Sequence, residues 1–184
     1  MNLLPLLLRK HYRQLLSLAV MFVGVLGPLV LFGKVADEIS EEGFLWDDAI
    51  LLWLHAHATP ALDHFFIIVT QSAGTRVMVP FILAAALLLW WCGGWERAVF
   101  FFTATVGAGA LNLLAKLFFA RARPTLWEWL VSENSFSFPS GHAMISMAVA
   151  AALVFLGWPT RGRWPILIAG AAFVLLIGLS RLYL

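Results

Sequence analysis

Lys116, Arg121 and Arg123 gather where one apolar run ends, and Arg181 stands near the end of another. Between them, Pro139-Ser140-Gly141-His142 opens the apolar run AMISMAVAAALVF. A guanidinium fork matches the oxygens of a phosphate two at a time. A serine just ahead of an apolar run is an N-cap candidate. The first helical turn behind it presents unpaired N–H groups at the positive end of the helix dipole, which is an anion site. Gly141 has no Cβ and lets the backbone approach a ligand closely. His142 sits at the edge of that site, and an imidazole suits the protonation of a leaving oxygen near neutral pH. These residue types point to a phosphate as ligand and to acid-assisted phosphoryl chemistry. The plainer readings are basic side chains snorkelling toward headgroups and an ordinary interfacial histidine. Four cations converging on one helix mouth weigh against them.

The elements that must hold these residues are membrane helices. The 184-residue chain is 62% hydrophobic and 12% charged, with a net charge of +2. A soluble domain carries about 25% charged residues. The composition therefore specifies an integral membrane protein, and the small net charge gives no footing for nucleic acid. One cysteine, Cys92, leaves no disulfide or thiolate metal framework. The start, MNLLPLLLRKHYRQ, is apolar before it is basic, the reverse of a signal peptide. It reads as a cytoplasmic interfacial segment.

About 20 apolar residues cross a bilayer, and five segments meet that need. They are Gln14 to Phe32, Thr75 to Trp91 with a helical lead-in from Asp63 to Thr70, Arg97 to Phe119, Ala143 to Trp158, and Trp164 to Leu184. Polar stretches from Lys34 to Asp48 and from Ala120 to Ser140 interrupt them. Residues 44–58 read as a short amphipathic helix in the interface. The expected architecture is an all-α multi-pass bundle forming one membrane-embedded domain over residues 1–184. Arg9, Lys10, Arg13, Arg97, Arg161 and Arg163 fall on one side of such a bundle, which places the N-terminus in the cytoplasm and the phosphate cluster outside.

The motifs resemble those of the type-two phosphatidic acid phosphatase superfamily. Lys116, six residues and then Arg123-Pro124 match its first motif, Pro139-Ser140-Gly141-His142 its second, and Ser180-Arg181 the start of its third. The resemblance covers about residues 60–184. It implies six spans and a metal-independent phosphatase acting on lipid phosphates or diphosphates without a cofactor. It also implies that Lys116, Arg123 and Arg181 hold the phosphoryl oxygens, with hydrogen bonds from Ser140 and the Gly141 N–H, and that His142 is the general acid. The family's nucleophile is a third-motif His that becomes phosphohistidine. That position falls three residues past Leu184, so the sequence is expected to be truncated within the third motif and inactive as given.

Other residues have plainer roles. Arg121 is read as a headgroup contact or a solvated cation, and Arg76 as an interfacial anchor or a headgroup contact. Asn112, Gly107 and Gly109 are read as helix-packing residues, and Asp63 as a helix cap. His55 and His57 lie two apart and face different sides of a helix, so they read as interfacial rather than as a metal pair. Undecaprenyl diphosphate is the first-choice substrate, because an outward site suits recycling of the polyprenyl carrier. Phosphatidylglycerol phosphate and phosphatidic acid come next. The other partners expected are membrane lipids, with nucleic acid excluded, and the location is the inner membrane. The competing class is a non-catalytic membrane protein that binds lipid phosphates or assists assembly. Transport ranks lower, because the charges sit at helix ends rather than at the midplane.

Overall fold

The structure is a computed structural model, and it describes residues 22–24, 26–38, 47–122 and 135–184. The chain divides into two compact units, Met1–Asp47 and Asp48–Leu184. Every regular element among the described residues is a helix. In the first unit, residues 26–38 form α1. The expected first span loses its early part to residues outside the described set. At its other end the helix runs past Phe32 to Glu38, through Lys34, where the polar stretch suggests a break. Charge ends a membrane-compatible segment, but it does not end a helix, and Lys, Ala and Glu are all good helix formers.

The second unit holds six helices: α2 (Asp47–Ala56), α3 (Pro60–Ser72), α4 (Thr75–Gly93), α5 (Trp95–Phe119), α6 (Gly141–Gly157) and α7 (Arg163–Tyr183). α2 ends at Ala56, short of the expected 58, residues 44–46 lie outside the described set, and none of its residues is buried. Beyond its end, His57 Nδ1–H donates to the Trp53 carbonyl at 2.8 Å. α3 begins earlier than the lead-in expected from Asp63. Its cap is Thr59, whose Oγ1 accepts from the Leu62 N–H at 3.3 Å, with Pro60 in the first turn. The Thr-Pro pair is a start signal, since Pro gives up an N–H that no helix would have used there. Asp63 is therefore not the cap.

α4, α5 and α7 are each long and apolar enough to cross a membrane, and α6 is a shorter apolar helix of 17 residues. Gly94 alone separates α4 from α5, at φ +88°, a conformation that only glycine adopts freely. α5 closes at Ala120, also left-handed at φ 44°. α4 packs on α5, α5 on α6, α6 on α7, and α3 on both α7 and α4.

The core joins Phe101, Ile177, Val149, Ala152, Met78 and Ile82. Between them lie fully buried hydroxyls that bond back to their own helices. Thr105 donates to the Phe101 carbonyl at 2.9 Å, Ser146 to Ala143 at 3.0 Å and Ser180 to Ile177 at 2.7 Å. Satisfied in this way, small polar residues allow close helix approach without leaving a polar atom unpaired in an apolar medium. The glycines differ from expectation. A Cβ on Gly107 would meet nothing within 4 Å, and one on Gly109 only Ile145 at 3.8 Å. Between α6 and α7 the close approaches are at Gly157, where a Cβ would lie 2.5 Å from Ile166 Cδ1, and at Gly170, where one would lie 3.2 Å from the Ala150 Cβ. Gly170→Leu should force α6 and α7 apart at a cost of about 1–3 kcal/mol, seen as a lower midpoint of thermal unfolding in detergent, whereas Gly107→Leu should leave the midpoint nearly unchanged.

Candidate active site

The mouth of α6 is built as its sequence suggests. Ser140 has extended backbone, and its Oγ accepts from the Ala143 N–H at 3.4 Å, so it is the N-cap. Gly141 and His142 form the first turn behind it, both half-buried. The absent Cβ of Gly141 has a different use from the one expected. A Cβ there would stand 3.1 Å from Asn112 Oδ1, so the room goes to a side chain of α5. The same amide donates from Nδ2 to the Pro139 carbonyl at 3.3 Å and lies 3.5 Å from Met144 Sδ. Asn112 does join helices, and it also holds the turn that presents Ser140, Gly141 and His142.

One helical turn further along α5, Lys116 reaches the other end of the same loop. Its ammonium donates to Ser135 Oγ and to the Phe136 carbonyl, both at 2.8 Å. The Ser137 N–H donates to the Arg121 carbonyl at 2.9 Å. The Ser137 hydroxyl lies 3.1 Å from that oxygen and 2.9 Å from the Ala122 carbonyl. The Phe119 and Phe138 rings meet edge to face at 5.1 Å. The strands of chain that leave α5 and enter α6 are thus stapled at their base. Lys116 serves this structure rather than snorkelling away from it. Arg123 lies outside the described residues, and Arg121 contributes its carbonyl to the staple while its side chain is half-buried.

The third part comes from α7 and the corner between α3 and α4. Arg181 Nη1 donates to Thr70 Oγ1 at 3.1 Å, across 111 residues of sequence. Four residues on, Gly74 faces the histidine: a Cβ there would lie 3.8 Å from His142 Nε2 and 3.1 Å from the Gln71 carbonyl. One corner therefore bonds Arg181 and leaves the space beside His142 that a Cβ would fill. The end of α7 is fixed a second time by Tyr183, whose hydroxyl donates to Asp63 Oδ1 at 2.6 Å and accepts from the Thr59 N–H at 3.3 Å. The Phe66 ring packs on Tyr183 at 4.5 Å. Lys116 and the α6 mouth are tied through the loop, and Arg181 is tied to the corner that approaches His142. Arg76 sits exposed in the first turn of α4. His55 and His57 are exposed on and just beyond α2. Among the described residues no group of three or more His, Cys, Asp or Glu is placed to hold a metal.

Residues 97–184 match the model of the PAP2 superfamily. The fold is similar to the crystal structure described as the first transmembrane PAP2 type phosphatidylglycerolphosphate phosphatase, from Bacillus subtilis. The TM-score is 0.77 at 25% sequence identity, over 86% of this chain and 82% of that one. Comparison with curated proteins finds no match. PAP2 members are phosphatases, and the helices place this one in a membrane. The PAP2 match starts at Arg97 and leaves out α3, which carries Asp63, Thr70 and the approach to Gly74. Sequence reasoning passed over Thr70 and Gly74. The polar TQSAGTR break between two apolar runs, at the same end as the motifs, was the signal available.

If Asn112 and Gly141 share one space, their substitutions must couple. Gly141→Ala should lower the thermal midpoint in detergent, and should cost clearly less in an Asn112→Ala background. Equal costs in both backgrounds would remove Asn112 as the reason for the glycine.

Proposed function

We propose that this protein is a membrane lipid phosphatase that hydrolyses a lipid phosphate or diphosphate. Lys116, Arg123 and Arg181 would hold the phosphoryl oxygens, helped by Ser140 and the Gly141 N–H at the mouth of α6. His142 would protonate the leaving oxygen as the bond from phosphorus to the lipid breaks. The observation that supports this most is the corner at Thr70–Gly74, which bonds Arg181 through Thr70 and comes close to His142 at Gly74. A charge clamp and a proton donor at one helix mouth are what phosphoryl transfer asks of a protein, because the reaction needs positioned charge more than covalent help. Attack on phosphorus belongs to the third-motif His that the resemblance implies, forming phosphohistidine.

The substrate order changes with the comparison. The similar Bacillus subtilis structure is described as a phosphatidylglycerolphosphate phosphatase, which favours that monoester over undecaprenyl diphosphate, with phosphatidic acid third. Arg121 and Arg76 are the headgroup contacts in this reading. The site faces outward from the inner membrane, in keeping with Arg97, Arg161 and Arg163 at the opposite ends of the helices.

The test is phosphate release by the full gene product in detergent, on a panel of the three lipids. Turnover should persist in excess EDTA; its abolition would end the metal-independent mechanism. Lipid binding without phosphate release would favour the non-catalytic class instead. His142→Ala should lower kcat by about 10²–10⁴ with a much smaller change in KM, since a proton donor acts in the transition state. Arg123→Lys should also be costly, because a point charge replaces a planar fork; near-normal activity would leave Arg123 without a phosphate contact.

A further inference from the structure

Thr70 belongs to none of the three motifs and lies before the region that matches the superfamily. It is only 2% exposed, although it carries a hydroxyl. Its Oγ1 accepts from Arg181 Nη1 at 3.1 Å. Arginine has a long side chain, and holding it in one rotamer costs entropy that a fixed partner offsets. The partner here cannot drift, because Thr70 is in the last turn of a helix tied to α7 at a second level through Thr59, Asp63 and Tyr183. A hydroxyl is also a suitable acceptor for this task. A neutral oxygen such as this one orients the guanidinium without itself compensating its charge, as a carboxylate in the same place would.

We infer that Thr70 is a positioning residue of the phosphate site, holding the Arg181 guanidinium in the orientation that meets the phosphoryl group. The inference rests on the proposed role of Arg181 in phosphate binding. Thr70 itself is not assigned a contact with substrate.

The experiment uses the full gene product in detergent and three substitutions: Thr70→Val, which keeps the shape and removes the acceptor; Thr70→Ser, which restores it; and Arg181→Ala. Two quantities are read: affinity for orthovanadate, a phosphate analogue, and kcat and KM on the best lipid phosphate. Thr70→Val should weaken vanadate binding and lower kcat/KM by about tenfold, the scale of one hydrogen bond to a charged group. Thr70→Ser should recover most of the loss. In the Arg181→Ala background, Thr70→Val should cost almost nothing more, because its effect passes through Arg181. Full additivity of the two substitutions overturns the inference. So does a Thr70→Val protein with a lower thermal midpoint and wild-type vanadate affinity, which marks a purely structural hydroxyl. A wild-type protein that binds neither vanadate nor any lipid phosphate overturns the phosphatase reading along with it, whereas normal binding in both wild type and Thr70→Val overturns the positioning role alone.

Discussion

The arrangement turns on one buried amide. Asn112 fills the space a Cβ would need at Gly141 and donates to the carbonyl just ahead of Ser140. An amide offers both a donor and an acceptor at the tip of a short side chain, so it fixes the turn more tightly than an apolar contact would. The carbonyl it serves belongs to irregular backbone at the end of a membrane helix, where an unpaired group is costly. Because Lys116 is one helical turn from Asn112, the same face of α5 holds both ends of the 135–141 segment. The orientation of the α6 mouth is thus set from α5 before any ligand arrives.

The opposite side of the site is held by α3, through a different device. Arg181 and Tyr183 both reach α3, one to a buried hydroxyl and the other to a carboxylate and an N-cap N–H. The carboxylate is spent on a phenol, and the guanidinium is given to a neutral oxygen. This division keeps Asp63 bonded to a group other than the arginine. The net effect is that the Arg181 guanidinium is oriented by a hydroxyl while Asp63 anchors Tyr183.

Much of this was legible in the residues. Long apolar runs fix the membrane helices, since no other structure satisfies the backbone in lipid, and Ser140 announced its own cap. The errors share a cause. The extension of α1 through Lys34, the earlier start of α3 at Pro60 and the open space at Gly107 all come from reading polarity or residue size where local helix chemistry or a neighbour decides. Gly141 is the sharpest case. A glycine beside a Ser and a His invites a ligand in the mind of the reader, yet its Cβ space belongs to Asn112, a residue 29 positions earlier. Pairings such as Thr70 with Arg181, 111 residues apart, carry no local signature at all.

The positions of the pieces also explain why a bundle end suits the proposed chemistry. Lys116, His142 and Arg181 all sit on the last or first turn of a helix, and each helix is anchored by core residues such as Phe101, Val149 and Ile177. Side chains on packed helices are placed more exactly than those on loops, and at a helix end they still reach polar surroundings. Deeper in the bundle, the same cations would carry a larger desolvation cost. Further out, water would screen the attraction that a phosphate site depends on. The end of the bundle is the level at which charge is affordable and still effective, and the short α6, with its glycine at the mouth, brings a helix dipole to that level as well.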